Sequence, residues 1–402
     1  MKKVAIIGTV GLPANYGGFE TLTNHLVKNL GGKYQFSVYC SSKKYKKEEQ
    51  LKSFAGAKLI YLPINANGIQ SIIYDSISII HALFYADVLL ILGVAGAWML
   101  PFVRLFTNKR IVISIDGIEW KRDKWSPLAK MYLWWAEKMA VKYSHIDISD
   151  NESIQNYTAY RYGTLSRVIE YGGDHVFRVE ATSGDHSQYP FLKSTYAIKV
   201  CRIEPENNVH LVLQAFQTLT NRYLVIVGNW NNSEYGKALK QQYSNSENIF
   251  LIDPIYNQEK LDLLRSNASL YIHGHSAGGT NPSLVEAMNL GLPILSYNVS
   301  YNKTTTENMA YYFDNSDDIK HFITNLSLEK LRKNASLMKE IANRRYKWEI
   351  IANNYDLLIT EAIVTEEKNL IIPQHVRNLN TSRLYNYQAA HLKYQLSFYE
   401  KR

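Results

Sequence analysis

The segment Gly278-Gly-Thr-Asn-Pro-Ser-Leu-Val-Glu-Ala-Met288 combines a small-residue turn, a proline-started helix and one carboxylate in a unit the size of a ribose and a phosphate. Asn281 suits a helix N-cap and Pro282 the first helical position, and Ser283 adds a hydroxyl to the N–H groups left unpaired at the helix start. Those donors favour a phosphate. Glu286 follows about one turn later, within reach of sugar hydroxyls. An ordinary capped helix in an α/β domain is the plainer reading of the same segment.

Three further clusters carry chemistry-bearing residues. Near the N-terminus, Gly8-Thr-Val-Gly-Leu-Pro-Ala-Asn-Tyr-Gly-Gly-Phe-Glu20 puts Gly17 and Gly18 where a helix should begin after the first strand, so backbone can approach a phosphate or sugar closely. A nicotinamide-type Rossmann site competes with this reading, but the glycine spacing is wrong and the second strand ends in Tyr-Cys-Ser-Ser without a ribose-binding acid. Glu20 suits either a solvated helix face or a ligand cleft. In Asp116-Gly-Ile-Glu-Trp-Lys-Arg122, Asp116 stands at the carboxyl end of a predicted strand, placed to orient or deprotonate a hydroxyl or simply to make an Asx-type turn. Trp120 and Trp125 suit stacking on a sugar ring, or packing in a core. In Cys201-Arg-Ile-Glu-Pro-Glu-Asn-Asn208, Arg202 offers a fixed fork of donors for a diphosphate, against the alternative of a surface ion pair with Glu204. His273 and His275 have only a two-residue spacing and no nearby third ligand, so they predict structural histidines and no metal site.

Short β-branched runs alternate with amphipathic stretches and so predict a βαβ series. The first set of strands is Val4 to Thr9, Gln35 to Cys40, Lys58 to Leu62, Val88 to Leu92, Arg110 to Ile115, Ile146 to Ser149 and Arg167 to Tyr171, with an aromatic-rich helix from Ser126 to Tyr143. A second set follows at Tyr196 to Val200, Leu224 to Val227, Ile249 to Ile252, Leu270 to Ile272 and Pro293 to Ser296. The fold class is therefore α/β, with two Rossmann-like, doubly wound domains and ligands at the carboxyl ends of their strands. The predicted domains are 1–175, a linker at 176–194, 195–364, and a tail at 365–402 of unassigned role. One long helical pattern covers Ser327 to Ala362.

At 402 residues the chain suffices for two cores, and its charge is +9. Lysines cluster at Lys43, Lys44, Lys46, Lys47 and Lys52, with a second basic group at Lys121, Arg122 and Lys124. No zinc-finger spacing, RNP-type strand or repeated basic helix accompanies them, so an anionic membrane or a phosphorylated substrate is expected rather than nucleic acid. The two cysteines, Cys40 and Cys201, form no disulfide framework and suit a reducing, cytoplasmic compartment. The uncharged run Val88 to Val103 is too short to span a bilayer and contains Gly93, Gly96 and Pro101. Serine-hydrolase elbow, Walker lysine, H-E-x-x-H and kinase motifs are absent, which leaves group transfer from a nucleotide-activated donor.

The quoted motifs resemble those of retaining GT-B glycosyltransferases, of family 4 type with a DUF1972-like N-terminal domain, and within them bacterial rhamnosyltransferases of cell-wall and capsular polysaccharide assembly. The resemblance covers most of residues 1 to about 360. It implies that Glu286 holds the donor ribose, Arg202 the diphosphate, and Gly17 and Gly18, with Asn281 and Ser283, the donor phosphates. It also implies that Asp116, Glu119 and Trp120 face the acceptor. The chain departs from the broader family at Gly278, in the place of a glutamate eight positions before Glu286, and at Asn207, where a second diphosphate-binding lysine is common. The first departure is compatible with a deoxysugar donor such as dTDP-rhamnose. The second leaves Arg202 and helix N-termini to stabilise the leaving group, so neither a metal nor another cofactor is expected. The implied partners are a nucleotide-sugar, a polyprenyl-diphosphate-linked saccharide and the inner face of the cell membrane, reached peripherally through the basic loop Lys43 to Lys52. A nucleotide-sugar epimerase of the same plan and a non-catalytic sugar-nucleotide or lipid-binding assembly factor are the rival readings.

Overall fold

Strands buried on both faces need nearly continuous apolar sequence, and the runs Val4–Ile7 and Val88–Leu92 supply it, with residues almost wholly inaccessible. In a computed structural model these runs form the centre of the first of two parallel sheets. The structure describes residues 1–14, 17–115, 117–122, 125–325 and 327–368. By internal contacts the chain divides into unit 1, Met1–Glu170 with the described residues from Glu349, and unit 2, Tyr171–Trp348.

Unit 1 begins with β1 (Lys2–Ile7), α1 (Gly18–Leu30), β2 (Tyr34–Ser41), β3 (Ser53–Phe54), β4 (Ala57–Leu62), α2 (Gln70–Leu83) and β5 (Val88–Leu92). It continues with α3 (Leu100–Phe106), β6 (Arg110–Ile115), α4 (Pro127–Tyr143), β7 (Ile146–Ser149), α5 (Glu152–Tyr162) and β8 (Arg167–Val168). The sheet order is β3-β4-β2-β1-β5-β6-β7-β8. Only the short β3, unpredicted from sequence, runs antiparallel to its neighbour. From β4 to β5, β6 and β7 the chain advances in one direction across the sheet. Right-handed crossovers therefore put α2, α3 and α4 in one layer and α1 on the opposite face.

Unit 2 comprises α6 (Ser183–Gln188), β9 (Tyr196–Val200), α7 (Val209–Gln217), β10 (Tyr223–Val227), α8 (Glu234–Tyr243), β11 (Ile249–Ile252), α9 (Gln258–Ser266) and β12 (Leu270–His273). It ends with α10 (Pro282–Asn289), β13 (Ile294–Tyr297), α11 (Ser300–Thr305), β14 (Tyr311–Phe313), α12 (Ser316–Asn325) and α13 (Leu328–Arg345). Its parallel sheet has the order β11-β10-β9-β12-β13-β14. One side of β9 packs through Ala197 onto Val209, Val212, Leu213 and Phe216 around the buried Trp230. The edge strand β14 was not predicted.

Besides the unpredicted β3 and β14, the structure departs from the sequence reading in two places. The helical pattern from Ser327 is interrupted, giving α13 and then α14 (Trp348–Val364). Tyr346 stops the first helix by turning its buried hydroxyl to the Thr305 carbonyl at 2.7 Å, and the Trp348 N–H donates to Asp174 Oδ1 at 2.8 Å. Beyond this break α14 packs with unit 1, not with the 195–364 domain. Lys33 pairs with Asp356 at 2.6 Å, Arg167 with Glu361 at 2.5 Å, and the Arg110 Nε–H reaches the Ile363 carbonyl at 3.2 Å. The second departure is the 176–194 segment, which is held by unit 2: the Phe177 N–H donates to Asp262 and Arg178 to the Leu290 carbonyl.

Asp75, on the inner side of α2, is fully buried, and burial pushes its carboxyl up to about 8 against one opposing hydrogen bond from the Gly96 N–H. The folded carboxyl keeps its proton to about pH 8 while the unfolded one releases it near 3.8, so unit 1 loses stability as pH rises across that interval. Asp75→Asn should raise the unfolding free energy at pH 8 by on the order of a few kcal/mol, and with it the urea midpoint, and leave both unchanged below pH 3.8. Urea titrations of both proteins at the two pH values measure this; equal midpoints at pH 8 would refute the burial argument.

Candidate active site

The segment that the sequence offers as a nucleotide-binding corner or an ordinary capped helix forms a capped helix in unit 2. Asn281 is the N-cap of α10, its Oδ1 accepting the Ser283 N–H at 3.1 Å and the Ser283 hydroxyl at 2.8 Å, and Pro282 occupies the first turn. Ser283 thus satisfies the cap, an arrangement that leaves other N–H groups of the first turn pointing out of the helix. Gly278 has a φ of +130° with open space where a Cβ would stand. The backbone therefore disfavours any other residue here, which gives the missing glutamate a conformational reason.

Glu286 is set by a network invisible to local sequence. Arg265, almost fully buried at the end of α9, places Nη2 2.5 Å from Glu286 Oε2 and Nη1 3.6 Å from Asp262 Oδ1. The Trp348 indole N–H donates to His175 Nδ1 at 3.0 Å, which assigns the ring proton to Nε2, 3.3 Å from Glu286 Oε1. Burial opposes ionisation of Glu286, but the Arg265 charge and the His175 hydrogen bond outweigh it and hold the carboxyl below its ordinary value. His175, Arg265 and Trp348 lie 111, 21 and 62 positions from Glu286 in the chain, and no local motif announces them.

Arg202 follows β9 with an exposed side chain, and its backbone carbonyl accepts Asn207 Nδ2 at 2.7 Å and the Glu204 N–H at 3.0 Å. Among the described residues no ion pair joins it to Glu204, so the guanidinium fork is available to an anion. Asn207 is buried and braces the Arg202 loop rather than offering a donor to a ligand. Sequence reasoning missed Lys199, a charged residue in the otherwise apolar strand Tyr196–Val200 and a signal in plain view. It is 1% exposed, its Nζ has no hydrogen-bond partner, and burial lowers its pKa. A Cβ added to Gly274 would lie 2.5 Å from Lys199 Nζ and 2.4 Å from the Asn207 carbonyl, so this ammonium sits directly beneath the loops at the carboxyl ends of β9 and β12. His273 and His275 stack with centroids 4.4 Å apart, and burial drives the His273 pKa well down, as expected for structural rings.

In unit 1, Gly17 forms the N-cap of α1 with φ 116° and Gly18 opens the helix. Glu20 takes neither alternative left open by the sequence. It is buried, accepts the Val10 N–H at 2.6 Å and the Thr9 hydroxyl at 3.1 Å, and closes the β1–α1 loop on itself. Its Oε2 would lie 2.0 Å from a Cβ at Gly17, so the first-turn carboxylate already occupies part of the space beneath that glycine. Asp116 lies outside the described residues. Glu119 is engaged by Arg122 at 2.9 Å and by the Trp125 indole at 3.0 Å, which makes it a brace for its loop. Trp120 donates to the Tyr157 hydroxyl at 3.0 Å and carries the Arg161 guanidinium 5.1 Å from its ring centre. With Lys121, Lys130, Met131 and Trp134 it lines an open hollow of about 410 Å³.

Residues 1–174 match a domain of unknown function, DUF1972, and residues 185–348 match the family of glycosyl transferases group 1. Among solved structures, sucrose-phosphate synthase from Thermosynechococcus elongatus is similar with a TM-score of 0.75 at 14% identity, over 90% of this chain and 99% of that one. Anabaena HepE in complex with UDP-glucose gives 0.68 at 16% identity, over 90% and 100%. A glycosyltransferase from Rickettsia africae gives 0.70 at 12% identity, over 90% and 99%. No curated protein matches the sequence. The fold is GT-B, with two Rossmann-like domains. Residues 185–348 thus carry a group 1 glycosyl transferase sequence within a GT-B fold.

Arg265→Met leaves Glu286 and Asp262 buried without their cation and should cost unit 2 about 3–5 kcal/mol. Because Glu286 has a folded pKa below its ordinary 4.5, its contribution is complete above pH 4.5 and disappears as pH falls through the folded value. Urea midpoints of wild type and Arg265→Met should accordingly converge in acid; a constant difference would refute the assignment. Lys199→Met removes a buried, unpartnered ammonium and should raise the thermal midpoint by several degrees, as followed by scanning calorimetry. A lower midpoint would show that the ammonium is compensated.

Proposed function

We propose that this protein is a glycosyltransferase that moves L-rhamnose from dTDP-rhamnose, with retention of configuration, onto a polyprenyl-diphosphate-linked saccharide in capsular or cell-wall polysaccharide synthesis. The observation that carries the nucleotide-sugar part is the ionised Glu286, pinned one turn into a capped helix whose start suits a diphosphate. Glu286 accepts the ribose hydroxyls, and Arg202, helped by Asn281 and Ser283 at the start of α10, receives the diphosphate. Asp116 orients the acceptor hydroxyl, with Trp120 beside it, and Gly17 and Gly18 admit the donor to backbone N–H groups. Gly278 supports a deoxysugar, since it places no carboxylate where one would meet a sugar hydroxyl.

In the reaction the acceptor oxygen bonds to the anomeric carbon as the bond from that carbon to the diphosphate oxygen breaks. The hydroxyl proton passes to the departing phosphate oxygen on the same face, and Arg202 with the helix N-terminus takes up the negative charge. Metal is not required by this scheme. Contact with an anionic membrane brings the enzyme to its lipid-linked acceptor. The HepE complex with UDP-glucose favours one second reading, a UDP-hexose donor.

Purified protein incubated with dTDP-, UDP- and GDP-sugars and synthetic lipid-linked acceptors should transfer rhamnose from dTDP-rhamnose with retained anomeric configuration, and EDTA should not abolish turnover. Arg202→Ala should lower kcat by orders of magnitude. Transfer only from a UDP-hexose would replace the donor assignment, and sugar interconversion without acceptor would replace transferase by epimerase. Unchanged activity in Arg202→Ala would remove that residue from the site.

A further inference from the structure

The outer face of the α2–α3–α4 layer is apolar to a degree that solvent-facing helices are not. On α2 and its flanks Ile69, Ile73, Ile77, Ile80 and Phe84 recur every three or four residues and are 74%, 55%, 39%, 46% and 85% exposed. That is a complete helical stripe turned away from the sheet. The carboxylate of this helix, Asp75, is on the inner side, so His81 is the only ionisable side chain of α2 on the exposed surface. Next in the layer, α3 exposes Phe102, Leu105 and Phe106, and α4 exposes Leu128, Met131, Trp134 and Trp135.

These helices are joined laterally. The Trp98 indole, just before α3, donates to Ser76 of α2 at 2.9 Å, and Tyr132 of α4 donates to the Ala95 carbonyl at 2.6 Å. Twelve large apolar side chains on adjoining helices expose on the order of 1,000 Å², well beyond the few hundred expected of a surface with no partner.

We infer that the outer face of α2, α3 and α4 lies on an anionic lipid bilayer, with its apolar side chains in the interfacial region and the Trp120–Trp134 hollow against a lipid phosphate. Charge complementarity selects this occupant. Lys121 and Lys130 line the hollow beside Met131 and Trp134, so cations adjoin the apolar stripe where it meets indole rings. Lys138 and Lys142 are exposed farther along the same helix. Tryptophan and lysine together mark a lipid interface, whereas protein–protein interfaces are depleted in lysine. The basic loop expected from sequence to dock is a weaker candidate. Glu48 and Glu49 follow directly on Lys46 and Lys47, its large aromatic Tyr45 is buried, and Leu51 is its one exposed large apolar side chain.

The inference rests on the membrane-contact part of the proposed function and is measured without any sugar donor, so the two fail separately. Full-length protein should sediment with vesicles of phosphatidylglycerol and phosphatidylcholine, and much less with phosphatidylcholine alone or in high salt. Ile77→Glu combined with Leu105→Glu changes two exposed positions and should weaken binding at least about tenfold. It should leave circular dichroism and transfer to a short, water-soluble acceptor unchanged. Lys43→Glu with Lys47→Glu should bind nearly as wild type. Wild-type protein that stays in solution with the mixed vesicles overturns the inference, as does loss of binding only in the loop variant. If the α2–α3 variant instead converts a dimer to a monomer in light scattering without affecting vesicle binding, the face belongs to a second copy and the inference is wrong.

Discussion

The ion pair between Arg265 and Glu286 is the constraint on which unit 2 depends. A buried guanidinium is tolerable only if its charge is met at close range, and Asp262 and Glu286 meet it from two helices. Each carboxylate then recruits another segment. Asp262 accepts the Phe177 N–H, and Glu286 receives His175, whose ring is oriented by Trp348. Asp174 in turn accepts the Trp348 N–H. One buried cation thus fastens α9, α10 and both ends of the unit, and the same bonds determine which Glu286 lone pairs remain for a ligand. The stability of the unit and the orientation of the Glu286 carboxylate are properties of a single network.

Periodicity made most of the architecture legible. The strands Val88–Leu92, Arg110–Ile115, Ile146–Ser149, Tyr196–Val200 and Ile249–Ile252 were placed to the residue, because each is a short run rich in β-branched and apolar residues set between helical or turn segments, a pattern that single polar residues such as Asp147 and Lys199 do not erase. The failures have identifiable causes. β3 is two residues long and β14 three, too short for a pattern to show. The break at Tyr346 carries neither glycine nor proline; it is made by a tyrosine hydroxyl finding Thr305 and by Trp348 finding Asp174, contacts that exist only after folding. For the same reason sequence could not assign α14 to unit 1, since its partners Lys33, Arg110 and Arg167 lie far back in the chain.

The candidate site divides along the same line. Asn281, Pro282 and Ser283 were readable because capping is local chemistry, and Gly278 because a backbone at φ +130° needs glycine. Glu119 and Glu20 were not, because a carboxylate in a loop has the same sequence signature whether it awaits a ligand or holds the loop closed. Arg122 and Trp125 claim the first and the Thr9–Val10 turn claims the second. Lys199 is the converse, a residue whose type conflicts with its strand and that burial leaves without a partner. Such a conflict between local pattern and side chain is tolerated chiefly where function uses it.

Charge also has to be weighed with what surrounds it. The lysines at 43–52 attract notice in the sequence by density alone, yet two glutamates and a sparse apolar complement dilute their field. The α2–α4 face carries fewer cations but concentrates them beside indole rings and an uncharged stripe. Coulomb attraction to an anionic surface reaches only about a Debye length and is shared by any basic patch, whereas burial of apolar area fixes depth and orientation. A periodicity of three and four residues that points outward rather than toward the sheet is therefore the more specific signal. A stripe with this spacing has the same pattern in sequence whether it faces the core or the solvent; the buried Tyr74, Asp75, Ser78 and Ile79 on the opposite side show that the core is supplied by the other face.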